Sequence, residues 1–290
     1  MKSAVVAIIG RPSSGKSTLL NALCGEKVSI VSPHPQTTRN KIRGIVSRKE
    51  GQLVFIDTPG YHISDKKFNQ RMKELSVHAL SEADLILYVI DASRKPGEEE
   101  QTITELVAPQ KGKLIVAANK IDAEKKYIED VRLYIKLNLG VEAFEVSALE
   151  GKGVEALICA IMERAEEGEL LYPEEFYTDQ TPEFRAAEII REKAVNKVRE
   201  EVPHSLYVSI SDMEVREGEK ELWIRAFIYV ERESQKGILV GKGASMIRAI
   251  RIEAEKELSE ILPYRVKLDL SVKVHPKWRS KDKILKGLIN

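Results

Sequence analysis

One run constrains this chain more than any other. Gly10-Arg11-Pro12-Ser13-Ser14-Gly15-Lys16-Ser17 follows an apolar stretch at 4–9 and precedes an apolar-periodic stretch at 18–24. Strand, glycine-bearing turn and helix in that order are the setting in which a G-x-x-x-x-G-K-[ST] pattern forms a phosphate cradle. Backbone N–H groups of the turn point inward, and the helix N-terminus adds fixed positive potential. In such a cradle Lys16 bridges the β- and γ-phosphates of a nucleoside triphosphate and the Ser17 hydroxyl holds Mg2+. Gly10 through Ser17, with Thr18 behind them, are candidate nucleotide-binding residues.

A strand-like segment at 52–56 runs into Asp57-Thr58-Pro59-Gly60. An acid ending a buried strand beside the cradle suits a carboxylate near nucleotide-bound Mg2+. Gly60, lacking a Cβ, lets its N–H approach a γ-phosphate oxygen closely. That contact exists only with the triphosphate, so the loop after it is a switch candidate. Alone, the segment reads equally well as a strand-to-turn junction, since Asp, Pro and Gly are turn residues.

A second apolar strand, 113–118, ends in Asn119-Lys120-Ile121-Asp122. A carboxylate at Asp122 accepts from both N1–H and the exocyclic amino group of guanine. Adenine has neither donor there, so a site built on this pair rejects it strongly. Asn119 is expected to tie this loop to the phosphate loop, and the Lys120 stem to cover the base. A third strand, 141–146, ends in Ser147-Ala148-Leu149, whose Ala148 N–H suits guanine O6. Ser-Ala-Leu means little alone; fourth in this series, it completes a guanine site.

These four motifs resemble the TRAFAC-class GTPases in order and interval. The resemblance implies a remaining switch element before Asp57, which Ser32-Pro33-His34-Pro35-Gln36-Thr37-Thr38-Arg39 fits. A threonine there brings its hydroxyl to Mg2+ and its N–H to the γ-phosphate; Thr38 is favoured, with Thr37 the alternative. The Gln-Thr-Thr-Arg string is similar to that of the Era-like branch. Catalytic roles are then expected of Lys16, Thr38 and Gly60, and Mg2+ contacts of Ser17, Thr38 and Asp57. Tyr61 stands where Ras-like proteins carry a water-positioning Gln, so slow intrinsic turnover is expected. Some relatives recruit K+ through a phosphate-loop Asn; that position is Ser13 here, which leaves K+ dependence open. Asn119 and Asp122 argue against an ATP-using kinase.

Strands and helices alternate from residue 4 to about 165, with a further strand at 84–90 and a closing helix at 154–165. The pattern predicts an α/β domain with a mostly parallel sheet, its nucleotide loops at the C-terminal strand ends. The segment 41–47 is expected to pair antiparallel with 52–56. A length of 290 residues suits two domains. Acidic, Pro-containing sequence between 163 and 182 reads as a solvated linker. The expected division is a GTPase domain at 1–172, a linker at 173–182 and a second domain at 183–290.

In that second domain Phe184, Ala187, Ile190, Ala194 and Val198 fall on one helical face. Strands at 206–210 and 222–230, Gly241-Lys242-Gly243-Ala244, a helix at 245–262 and a strand at 265–274 follow. The order α-β-β-α-α-β with a glycine loop between two helices resembles an α+β type II KH domain. In that family the G-x-x-G loop clamps a single-stranded RNA backbone. Lys242 adds charge at the loop tip, and Arg248 and Arg251 on the next helix suit the same strand. Ala244 replaces the usual second glycine, so a positive φ there would be strained. The basic tail, with His275-Pro276-Lys277-Trp278-Arg279, interleaves an aromatic with cations, which suits RNA stacking beside phosphate contacts.

Over its full length the chain resembles the Era family. That resemblance implies GTP hydrolysis to GDP, binding to the 3′ end of small-subunit ribosomal RNA, assembly of the 30S subunit and peripheral association with the inner membrane. A monomer is expected. The alternatives are a GTP-sensing RNA-binding module with incidental hydrolysis, or another Era-related GTPase. A net charge of +1 does not itself announce a nucleic-acid protein. Cys24 and Cys159 read as reduced thiols rather than a disulfide framework. Without a leader-like segment or a bilayer-length apolar run, a cytoplasmic setting is expected.

Overall fold

The computed structural model describes residues 1–34, 37–60, 67–124, 126–216, 220–281 and 284–285, without the side chains of 67–69, 71 and 73. Tyr61, Gln36, Lys283 and Lys286 fall outside the described residues. Two compact units emerge among the described residues: Met1–Val31 with Thr38–Asp179, and residues 32–34 and 37 with those from Gln180 onward.

In chain order the first unit runs β1 (Lys2–Ile9), α1 (Lys16–Cys24), β2 (Ile42–Arg48), β3 (Gly51–Asp57), α2 (Lys67–Glu82) and β4 (Leu85–Asp91). It continues with α3 (Glu98–Val107), β5 (Leu114–Asn119), α4 (Ile128–Leu139), β6 (Ala143–Val146), α5 (Val154–Arg164) and a two-residue β7 (Glu166–Glu167). The sheet order is β2-β3-β1-β4-β5-β6. β1 pairs parallel with β3 and β4, and β4–β5–β6 continue in parallel. β2 joins antiparallel through the Arg48–Gly51 turn, as the sequence pattern implies. β3 and β4 are buried along their whole length, the continuous apolar signature of strands covered on both faces. Every nucleotide motif therefore follows the C-terminal end of a parallel strand.

The segment expected as linker behaves differently over most of its length. Gln52, fully buried, accepts from Leu171 N and Tyr172 N at 2.9 Å each and donates to Tyr172 O at 2.9 Å. Ile45 N donates to Tyr177 O at 2.9 Å, the Thr178 hydroxyl to Arg43 O at 2.8 Å, and Arg43 pairs with Asp179 at 2.9 Å. Residues 171–179 thus strap the outer edge of β2 and satisfy backbone groups that an edge strand would expose. Acidic composition hid this, because the strap binds through backbone and through Gln52. The first unit accordingly extends to Asp179 rather than to 172.

The second unit runs α6 (Pro182–Lys197), α7 (Val202–Ser205), β8 (Tyr207–Arg216), β9 (Glu221–Val230), α8 (Glu233–Val240), α9 (Ser245–Ile261) and β10 (Arg265–Val274). Thr181 caps α6 by accepting from Phe184 N, with Pro182 opening the helix. In its sheet β9 is central, antiparallel to β8 and parallel to β10. Ile224, Ala226, Ile228 and Val230 point from β9 into a core shared with Ile190, Ala194, Ile250, Ala254 and Leu258. No helix among the described residues is long and apolar enough to cross a membrane.

Candidate functional site: a nucleotide cradle and a glycine-loop cleft

The turn between β1 and α1 is shaped by close approach. A Cβ on Gly10 would meet Val89 O at 2.4 Å. One on Gly15, whose φ is +92°, would meet Asn119 Nδ2 at 2.3 Å. Ser13 also has positive φ, 62°, a conformation few non-glycine residues hold. Lys16 is buried and its Nζ donates to Gly10 O at 3.0 Å and Arg11 O at 2.9 Å. Burial lowers its pKa to about 8 against the opposing pull of Asp57 and Glu100.

Ser17, Thr38 and Asp57 converge beside this turn. Ser17 Oγ lies 2.7 Å from Asp57 Oδ2 and 2.8 Å from Thr38 Oγ1, which is itself 3.1 Å from the same carboxylate oxygen. Thr37, the alternative, turns its hydroxyl to His34 O at 2.7 Å. Ser29 Oγ adds a third contact to Asp57 at 3.1 Å, which no motif signalled. Asn21 places Ser29, accepting from its N–H and donating to its carbonyl at 2.8 Å each. Burial raises the Asp57 pKa despite Lys16 and these hydroxyl donors, and Asp57 Oδ1 is buried without a hydrogen-bond partner. Hard oxygens around a buried carboxylate with an unsatisfied atom fit Mg2+. Among the described residues no group of three His, Cys, Asp or Glu forms another metal site. Gly60 lies against the cradle, where a Cβ would meet Pro12 at 2.8 Å.

Asn119 joins the phosphate half of the site to the base half. Its Nδ2 donates to Ser14 O and its Oδ1 accepts from Ala148 N, both at 3.0 Å. Lys120 Nζ reaches Ser13 O at 2.7 Å. Ser147, fully buried, donates its hydroxyl to Asp122 Oδ1 at 2.5 Å, which aims the carboxylate. Leu149 is 79% exposed. Arg11 points away from the cradle: its side chain is buried against Asp91 and Glu100.

In the second unit the Gly241–Ala244 turn is exposed beyond Gly241, where a Cβ would meet Met246 at 2.8 Å. Gly243 has φ 60° and Ala244 φ 59°, so the alanine does hold the left-handed conformation that disfavours it. Arg248 and Arg251, both exposed, line with Ala244, Ile247 and Leu268 a cleft of about 330 Å3. The tail departs from the stacking expectation. Trp278 is fully buried, its indole N–H donates to Ser205 O at 2.7 Å, and its ring meets Tyr207 edge-on. A ring so enclosed offers no face to a base. Arg279 pairs with Glu231, whereas Lys277 stays exposed.

A profile of the family described as 50S ribosome-binding GTPase matches residues 5–120, and one described as KH domain matches residues 201–279. GTPase Era of Treponema denticola is 51% identical over 99% of both chains. This chain belongs to the Era GTPase family. It therefore hydrolyses GTP. Era of Borreliella burgdorferi is 47% identical over the full length of both chains. Among solved structures, an Aquifex aeolicus Era variant bound to GDP·AlF4− aligns with TM-score 0.93 at 37% identity, over 99% of this chain and 98% of that one. An Era complex with MgGDPNP and nucleotides 1506–1542 of 16S ribosomal RNA aligns with the same score and coverage. The Era fold, a GTPase domain followed by a KH domain, is thus the fold of this chain.

Proposed function

We propose that this chain is a GTP-driven switch that holds the single-stranded 3′ end of small-subunit ribosomal RNA during 30S assembly. Asn119 carries the nucleotide half of this reading, because its two hydrogen bonds make phosphate loop and base loop one site. Asp122, aimed by Ser147, accepts from the guanine edge, while Ala148 N–H holds the base loop to Asn119 Oδ1. Lys16 leaves the Gly10 and Arg11 carbonyls for the β- and γ-phosphates, and the turn's N–H groups stabilise charge as water attacks in line. Ser17, Thr38 and Asp57 would hold Mg2+, which when bound neutralises charge on the phosphates. Gly60 N–H meets the γ-phosphate only while it is present.

The RNA half rests on the Gly241–Ala244 turn and its cleft. Lys242, Arg248 and Arg251 face solvent where a sugar-phosphate backbone passes, and Lys277 adds a further cation. Such contacts make affinity fall steeply with salt. Photocrosslinking to a 3′-terminal 16S RNA fragment, in GTP and in GDP, tests this. Crosslinks at Lys242 and Arg248 that change in yield with nucleotide support it; none at the 241–251 segment refutes the RNA assignment. Nucleotide-independent crosslinking there would favour an RNA-binding module with incidental hydrolysis.

A further inference from the structure

Asp91, the last residue of β4, lies at no recognised motif, yet both halves of the nucleotide site reach it. Its side chain is 5% exposed. Oδ2 accepts from Arg11 Nη2 at 3.0 Å and from Lys120 Nζ at 2.8 Å. Arg11 belongs to the phosphate loop and Lys120 to the base loop. Oδ1 accepts from Ser93 N at 2.9 Å and Ser93 Oγ at 2.5 Å, which fixes the carboxylate plane. The backbone repeats the link, since Ala92 N donates to Asn119 O at 2.8 Å. Burial works against the charged carboxylate, but Lys120 and Ser93 overcome it and hold the pKa below the usual range.

The environment of Arg11 leaves Asp91 little freedom. The guanidinium is 2% exposed, with Glu100 Oε1 2.8 Å from its Nε. Glu100 in turn accepts from the Tyr88 hydroxyl at 2.7 Å, so this side of the cluster is braced by the core. Lys120 is the more exposed member. Its side chain is 34% exposed, its backbone sits at φ 68°, and its two acceptors are Asp91 and Ser13 O. Without the Asp91 charge, the amine would face the Arg11 cation with only one carbonyl to hold it.

We infer that Asp91 is a positioning residue for nucleotide binding: it sets the Lys120 amine against the phosphate loop, so that the Lys120 stem lies flat where the base stacks. It acts through Lys120 and does not touch the base edge that Asp122 reads. This rests on the guanine-nucleotide reading of the site.

The test is a double-mutant cycle on GDP affinity with full-length protein: the unmodified chain, Asp91→Asn, Lys120→Met and the double variant, each also titrated with IDP. Asp91→Asn is expected to weaken GDP binding about tenfold alone and at most about twofold on the Lys120→Met background, the non-additivity of residues acting in series. The GDP-to-IDP ratio, set at the base edge, stays unchanged in Asp91→Asn. Equal losses on both backgrounds, or a collapsed ratio, overturn the inference and mark Asp91 as scaffold only. Should Asp91→Asn not fold, Ser93→Ala, which removes one of the two donors that hold Oδ1, must show the same non-additivity with Lys120→Met; additivity there overturns it equally. If the unmodified chain binds no GDP, the guanine-site reading falls along with the inference; if it binds and the cycle is additive, only the inference falls.

Discussion

Ser147 donates its hydroxyl to Asp122 at 2.5 Å, and it also accepts from Glu150 N at 3.1 Å. The Ser-Ala-Leu loop therefore holds the base loop twice: Ala148 N–H donates to Asn119 Oδ1, and Ser147 orients the carboxylate proposed to read guanine. Ser147→Ala should leave Asp122 half-buried with one donor fewer, a loss of about 1.5–3 kcal/mol for a hydrogen bond to a charged group. Isothermal titration should show GDP affinity falling by about tenfold up to about 150-fold.

Lys16 makes nucleotide affinity depend on pH. Its amine titrates near 8 in the free protein because burial disfavours the charge. Bound phosphate favours the ammonium and raises that pKa. Below about pH 8 the amine is already protonated and this residue adds no pH dependence. Above it, binding takes up a proton, so affinity falls with rising pH by at most about tenfold per unit. Titrations from pH 7.5 to 9.5 check the slope; a flat profile would contradict the assignment.

Trp278 is a core residue carried on a tail. Trp278→Ala removes a fully buried indole and leaves Ser205 O without its donor, so the second unit should lose about 3–5 kcal/mol. Chemical denaturation followed by circular dichroism measures it. Lys277→Ala, on an exposed side chain, should leave stability within about 0.5 kcal/mol and instead reduce the salt dependence of RNA binding.

Ala244 carries strain that glycine would relieve. At φ 59° a Cβ costs roughly 1–2 kcal/mol, part of which returns as unfolded-chain entropy in glycine. Ala244→Gly should therefore be neutral or stabilising by up to about 1 kcal/mol and keep RNA affinity. A clear destabilisation in thermal melts would show that the alanine methyl packs usefully in the cleft.

Much of the site was legible because its residues sit in fixed intervals after strands. The run from Gly10 to Ser17, the Asp57 and Gly60 pair, and the Asn119-to-Asp122 string each declare both a chemistry and a place at a strand end. Ser29, Asp91 and Ser147's grip on Asp122 were not legible. They act through contacts between elements distant in sequence, and nothing in their local pattern differs from an ordinary loop serine or strand-end acid. The strap at 171–179 and Trp278 were misjudged for one shared reason. Composition suggested solvent, whereas buried partners, Gln52 among those of the strap and Ser205 O for Trp278, hold each segment against its unit. Fold class followed more readily, since alternation of apolar strands with helical periods survives such local exceptions.

The proposed guanine contact is Asp122, within a cradle joined by Asn119. Titrating the unmodified chain and Asp122→Asn with GDP and XDP tests it most directly. The amide should exchange its hydrogen-bonding sense and invert the preference, so that the unmodified chain favours GDP and the variant favours XDP. Retained guanine preference in a folded Asp122→Asn protein would contradict the account.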